Sequence, residues 1–224
     1  MGADKNKKNG RKLLAVVAIA CLVGGGVWFW KNVAQDRLIP RRWAAVEERS
    51  IYRSGQLSAA LVKRTLRSHG IKVIVALNNE TPTDKNQQAE RKAADELGIE
   101  LLRFPLSGNG TGEVHLYADA IAAIAQARRQ GKPVLVHCSA GVMRAGGVIA
   151  CYQLLVEGKS PSEALKELMQ HGWKLHDRTL LAYINENLAE IATTLRDKGI
   201  IETVPDPLPR LPCPEPSSHA KLGS

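Results

Sequence analysis

Three short apolar runs separated by helix-length polar segments constrain this chain more than anything else in it. They are IKVIVALN at 71–78, IELLRFPL at 99–106 and KPVLVHC at 132–138. Between the first two lies KNQQAERKAADELG (85–98), which has helical periodicity and ends in glycine. Between the second and third lies a longer helical stretch, EVHLYADAIAAIAQARRQG (113–131). Near-continuous apolar runs of this length suit strands buried on both faces, and strands that alternate with such helices connect in parallel. The expected fold class is α/β, with a central, mainly parallel sheet flanked by helices.

The flanking sequence extends this pattern. WAAVEERSIYRSGQ (43–56) alternates like a strand pair, and LSAALVKRTLRSHG (57–70) reads as a helix closed by Gly70. Beyond Cys138, residues 145–156 are expected to be helical. The stretch SPSEALKELMQHG opens a helix with Ser160 as cap, Pro161 at the first helical position and Glu163 as capping-box partner. A last helix is expected over 179–197. With only 2 Phe among 224 residues, the core must be aliphatic. The length suits one well-cored domain with additional segments at its ends.

Those end segments differ in composition. Residues 1–12 form a basic tail contributing +4 of the formal +9, and 31–42 form a basic stem. Between them, LLAVVAIACLVGGGVWFW (13–30) runs eighteen residues without a charge and ends in Trp28 and Trp30. At about 1.5 Å rise per residue it nearly reaches across a ~30 Å hydrocarbon layer, so an N-terminal transmembrane helix is expected. Five Lys and Arg before it against four after it favour a single-pass protein with its domain on the extracytoplasmic side. The main domain is expected over 43–202, followed by a Pro-rich, disordered tail over 203–224. The remaining basic residues are interspersed with acids and form no aromatic-interleaved stripe, so no nucleic acid is expected as partner.

Four cysteines, Cys21, Cys138, Cys151 and Cys213, match neither a CxxC metal site nor a disulfide framework, and no metal is expected. Cys138 ends a buried strand, and Arg144 follows six positions later at the start of a helix. The intervening loop therefore falls at the carboxyl edge of the sheet, where ligands bind in this architecture. Backbone N–H groups of Ser139, Ala140, Gly141, Val142 and Met143 can converge there on one anion, helped by the positive end of the next helix. The same field stabilises a thiolate, which makes Cys138 a candidate nucleophile. The planar fork of Arg144 can hold two phosphoryl oxygens.

His137, Cys138, Gly141 and Arg144 reproduce the H-C-x-x-G-x-x-R signature and resemble the cysteine-dependent protein tyrosine and dual-specificity phosphatases. IYRSGQL (51–57) is similar to the Y-R-S-G-Q element of the compact bacterial members. The likeness runs from about 43 to 197. It implies a phosphatase-type phosphate loop between the last strand and the following helix. Cys138 would be the nucleophile forming a phosphocysteine, Arg144 the phosphate clamp, residues 139–143 the cradle, and His137 a support that holds the loop and tunes the thiolate. It implies no cofactor, and a phosphorylated protein or small phosphate monoester as substrate.

Two positions depart from the family pattern. Ala145 stands where a Ser or Thr hydroxyl usually assists the second step, so turnover is expected to be limited by phosphoenzyme hydrolysis. Asn109, in PLSGNGTGE, stands near the usual seat of the Asp that protonates the leaving oxygen. Glu113 is the nearest substitute as general acid, although a carboxylate at a helix start also has a purely structural reading. Glu80 and Asp84 follow another strand at the same edge, and Asp119 reads as a surface charge. Arg53 could reach substrate, but an arginine packing the YRSGQ turn is the preferred reading. His171 and His176 lie too far round a helix to pair on a metal. Cys151 is expected in the core, or else as the partner of Cys138 in a regulatory disulfide. The loop has no lysine between Cys138 and Arg144, which disfavours a phosphoinositide substrate. The expected protein is thus a membrane-anchored phosphatase acting on phosphotyrosine, and on phosphoserine or phosphothreonine as further substrates. The alternative is a catalytically weak module that holds a phosphorylated partner at the membrane.

Overall fold

The structure, a computed structural model, describes residues 23–25 and 39–213. Five strands form one sheet in the order β1-β2-β5-β3-β4: β1 (Ala44–Glu47), β2 (Ile51–Gly55), β3 (Val73–Ala76), β4 (Glu100–Arg103) and β5 (Val134–Cys138). β1 and β2 pair antiparallel; the other three pairings are parallel. β5 is therefore the middle strand, covered on both edges and both faces. That is why VLVHC reads as an unbroken buried run.

Among the described residues, six helices complete the unit that begins at Pro40: α1 (Val62–Ser68), α2 (Lys85–Leu97), α3 (Val114–Arg129), α4 (Met143–Leu155), α5 (Pro161–Gln170) and α6 (Thr179–Asp197). Alternate strand residues serve opposite faces. Tyr52, Ile74 and Leu135 pack with Val62 and Leu66 of α1 and Ala93 and Ala94 of α2. Ile51, Val75, Val134 and Val136 join a larger core with α3, α4, α5 and α6. Local chemistry sets the helix ends. Asp84 caps α2 by accepting from the N–H groups of Asn86 and Gln87 at 2.7 and 3.2 Å. The expected capping box of Ser160 and Glu163 opens α5. Leu211 is buried, and its backbone N–H and C=O both pair with the Asn185 side chain of α6.

Among the described residues no helix is long and apolar enough to cross a membrane. This finding corrects the expectation of a transmembrane helix over 13–30, and with it the single-pass, extracytoplasmic localisation and the membrane as a partner. The physical reason is visible in the sequence. The eighteen-residue stretch, at about 1.5 Å rise per residue, falls just short of a ~30 Å hydrocarbon layer. Of that stretch only 23–25, which are helical, fall within the described residues. The basic tail, most of the stem and the end of the Pro-rich segment lie outside them.

Candidate active site

The parallel register brings Gly55, the last residue of β2, beside Cys138, the last residue of β5. The chain then turns tightly over the strand ends and enters α4 at Met143, two residues earlier than the sequence pattern suggests. Gly141 makes the turn possible. Its φ is +75°, and a Cβ there would lie 2.6 Å from the backbone nitrogen of Gly55. The Gly141 N–H donates to Cys138 Sγ at 3.2 Å.

Three consecutive loop carbonyls are held on the outside by donors that all come from residues 42–56. The Gln56 N–H donates to Ser139 O at 3.1 Å, Arg42 Nη1 to Ala140 O at 2.9 Å, and Arg53 Nη2 to Gly141 O at 2.7 Å. A trans peptide carries its N–H opposite its carbonyl, so the N–H groups of Ala140, Gly141 and Val142 turn to the inner side, where the thiol lies. With the amino end of α4 beneath Met143, the loop has the geometry of a cradle able to hold an anion. Arg144, in the first turn of α4, spans the mouth. Its Nη2 donates to Ser139 Oγ at 3.0 Å and its Nη1 reaches Leu77 O at 3.5 Å.

Two largely buried carboxylates support the loop, one on each face of the sheet. Arg53 is fully buried and bonds Glu167 of α5 as well as Gly141, so it braces the cradle from below rather than packing a turn. Burial pushes the Glu167 carboxyl up, but His171 and Arg53 outweigh it and hold the group below its ordinary value. On the other face His137 Nε2 lies 3.0 Å from Glu90 Oε1, both side chains being buried. Burial again raises the Glu90 carboxyl, and His137, Arg103 and Gln56 together bring it below its ordinary value. Sequence reasoning missed Glu90, Gln56, Arg42 and the role of Arg53. The available signals were a charged residue at an inward position of IYRSG and an acid within the buried stripe Gln87, Glu90, Ala94 of α2.

The loop 107–112 passes close to the cradle: a Cβ on Gly110 would lie 3.2 Å from the Met143 carbonyl. Two tyrosines fasten this loop, Tyr117 by donating to Gly110 O and Tyr183 by donating to Gly112 O at 2.7 Å. Burial pushes the Tyr117 phenol well up and that of Tyr183 up to about 12, so both stay protonated donors. Asn109 Oδ1 accepts from the backbone N–H and the hydroxyl of Thr111, which closes a local turn. Glu113 is exposed at the cap position of α3, with no side-chain capping bond. The other carboxylates are engaged elsewhere: Asp84 caps α2, Glu80 pairs with Arg91, and Asp119 with Lys198 at 2.8 Å. His171 Nδ1 lies 3.2 Å from Glu167, while His176 is exposed. Cys151 is fully buried and its thiol is pushed up to about 12, the behaviour of a packing residue.

A family model described as the DSP-PTPase phosphatase fused to NAD+ kinase matches residues 29–182. The dual specificity protein phosphatase TpbA of Pseudomonas aeruginosa (strain PAO1) is 28% identical over 165 residues, covering 72% of each chain. The dual specificity protein phosphatase OPG106 of vaccinia virus (strain Copenhagen) is 35% identical over 68 residues, 30% of this chain and 39% of the viral protein, so the match spans about two fifths of that relative. Among solved structures, P. aeruginosa TpbA superposes with a TM-score of 0.56 at 20% identity, covering 69% of this chain and 91% of TpbA. TpbA has also been solved in complex with pTyr. The catalytic core of the PP-IP phosphatase SIW14 from S. cerevisiae superposes with a TM-score of 0.56 at 21% identity, covering 73% of this chain and 96% of that core. At these identities the superpositions show the shared fold.

Proposed function

The chain belongs to the DSP-PTPase family of cysteine-dependent phosphatases, and from that premise we propose that it hydrolyses phosphotyrosine, with phosphoserine and phosphothreonine as further substrates, through a phosphocysteine on Cys138. The observation that carries this reading is the cradle: the Gly141 N–H at 3.2 Å from the thiol sulfur, with the three carbonyls of 139–141 held outward. The complex of TpbA with pTyr supports phosphotyrosine as a substrate.

In the first step the Cys138 thiolate forms an S–P bond as the P–O bond to the alcohol breaks, and the leaving oxygen takes a proton. Inward N–H groups and the Arg144 fork stabilise the charge on the three equatorial oxygens. In the second step water attacks phosphorus, the S–P bond breaks back to thiolate, and inorganic phosphate leaves. Glu113 is the proposed proton donor, being the exposed carboxyl at the end of the tyrosine-held loop.

The test is hydrolysis of an aryl phosphate and of a phosphotyrosine peptide by the wild type, Cys138→Ser and Glu113→Gln. Turnover should vanish in the serine variant. In the glutamine variant it should fall by ~10²-fold or more on the peptide and far less on the activated aryl ester, the pattern of a lost general acid. No turnover by the wild type, with phosphopeptide still bound through Arg144, would assign the chain to phosphate binding instead. Equal losses on both substrates would remove Glu113 as the acid.

A further inference from the structure

Glu90 takes no part in the chemistry above, yet it is a fully buried carboxylate beneath the nucleophile's strand end. Its Oε1 lies 3.0 Å from His137 Nε2 and accepts from Gln56 Nε2 at 3.1 Å, and its Oε2 lies 3.8 Å from Arg103 Nη2. Arg103 Nη1 donates to both the backbone and side-chain oxygens of Asn78, at 3.0 and 2.9 Å, and Asn78 Nδ2 donates to Gln56 Oε1 at 2.8 Å. Four side chains, from α2 and from the ends of β2, β3 and β4, thus close a ring with Glu90 as its one anion, and His137 of β5 joins it through Glu90.

Three residues of this network touch the cradle through the backbone. His137 precedes Cys138. Gln56 gives its N–H to Ser139 O at 3.1 Å, and Leu77, beside Asn78, presents its carbonyl to Arg144 at 3.5 Å. A buried carboxylate is a poor way to gain stability, since apolar side chains of similar volume commonly do as well. What the carboxylate adds is direction: it fixes the imidazole of His137 and the amide of Gln56 at once. We infer that Glu90 is the positioning residue of the phosphate loop, holding His137 behind the thiol and, through Gln56, the outward set of the Ser139 carbonyl. The inference rests on the reading of Cys138 as a phosphatase nucleophile.

The experiment compares the full-length wild type with Glu90→Gln, Glu90→Asp, Gln56→Met and the Glu90→Gln/Gln56→Met pair, below the onset of thermal unfolding. Three quantities are read: kcat/KM on an aryl phosphate, alkylation of the Cys138 peptide by iodoacetate at neutral pH, and the folded fraction by near-UV circular dichroism. Loss of one charge-assisted contact predicts a fall of about ten- to a hundredfold in kcat/KM for Glu90→Gln with the protein folded, and slower alkylation. Glu90→Asp, which keeps the charge but draws it back, should recover part of the loss. The double variant should lose less than the product of the two single losses, because the Glu90–Gln56 contact is common to both changes.

A folded Glu90→Gln protein within about twofold of wild type in turnover and alkylation overturns the proposal, as do additive effects in the pair. Failure of both Glu90 variants to fold would also overturn it, by making Glu90 a folding residue. If Glu90→Gln fails to fold while a folded Glu90→Asp protein is impaired, the positioning role stands. A wild type that hydrolyses nothing defeats the phosphatase reading, and the alkylation ratio, which needs no turnover, then decides Glu90 separately.

Discussion

Individual residues near Cys138 divide into those that meet a phosphoryl group and those that hold the first set in place. Arg53 belongs to the second kind, and its removal has a definite cost. In Arg53→Met the Gly141 carbonyl loses its donor and Glu167 is left as a largely buried carboxylate with only His171 beside it. Breaking such a pair from one side destabilises by about 3–5 kcal/mol, which urea unfolding would register as a lower midpoint at unchanged slope. Ala145 makes a second, kinetic prediction. It is fully buried directly after Arg144, and it brings no hydroxyl to the departing thiolate. Stopped-flow hydrolysis of an aryl phosphate should therefore show a burst of alcohol followed by slow turnover. Ala145→Ser should raise the steady rate and shrink the burst, whereas a wild type without a burst would place the slow step before the phosphoenzyme.

At the scale of elements, the loop after β4 is the part whose behaviour the sequence alone could not give. Gly110 sits in it at φ +88°, where a Cβ would meet Leu180 Cδ1 at 2.8 Å and the Met143 backbone at 3.2 Å. Gly110→Ala combines a disfavoured backbone with a clash against the start of α4. It should cost about 1–3 kcal/mol and lower kcat as the loop is pushed off the cradle. Thermal melting and aryl phosphate kinetics check both halves, and an unaltered kcat would separate this loop from the chemistry. The strands and helices were legible because periodicity and caps are local: Ser160 with Glu163, and Gly98 at φ +63° after α2, are written in a few adjacent letters. The cradle's composition was legible for the same reason, since Cys138 to Arg144 is one contiguous turn. Its bracing was not, because Arg53 and Glu167 are 114 positions apart and meet only once β2 and α5 are stacked. The apolar stretch 13–30 misled because hydropathy is a matter of composition, and a run just short of the hydrocarbon thickness does not by itself make a spanning helix.

Across the whole molecule, the cradle is clamped from both faces of the sheet by two carboxylates of the same electrostatic kind. Glu90 reaches His137 from α2 on one face, and Glu167 reaches Arg53 from α5 on the other. Both carboxyls are held below their ordinary value of 4.5, against the opposing effect of burial. A carboxyl whose folded pKa is depressed binds its proton more readily in the unfolded chain, so it stabilises the fold above its ordinary value. That contribution is lost as pH falls through the lower, folded value. Urea midpoints should accordingly be flat above about pH 5 and drop steeply below it as the two clamps are protonated. Glu90→Gln and Glu167→Gln should each start from a lower midpoint and show a shallower fall, because each variant has already given up one of the groups being titrated. If both variants retain the wild-type slope on the acid side, the acid sensitivity arises from surface carboxylates such as Glu80 and Glu96, whose partners Arg91 and Lys63 are exposed. Added salt discriminates further. Screening should blunt a surface contribution at ionic strengths that leave the two buried clamps nearly untouched, so an acid transition insensitive to salt ties the integrity of the cradle to the protonation of Glu90 and Glu167.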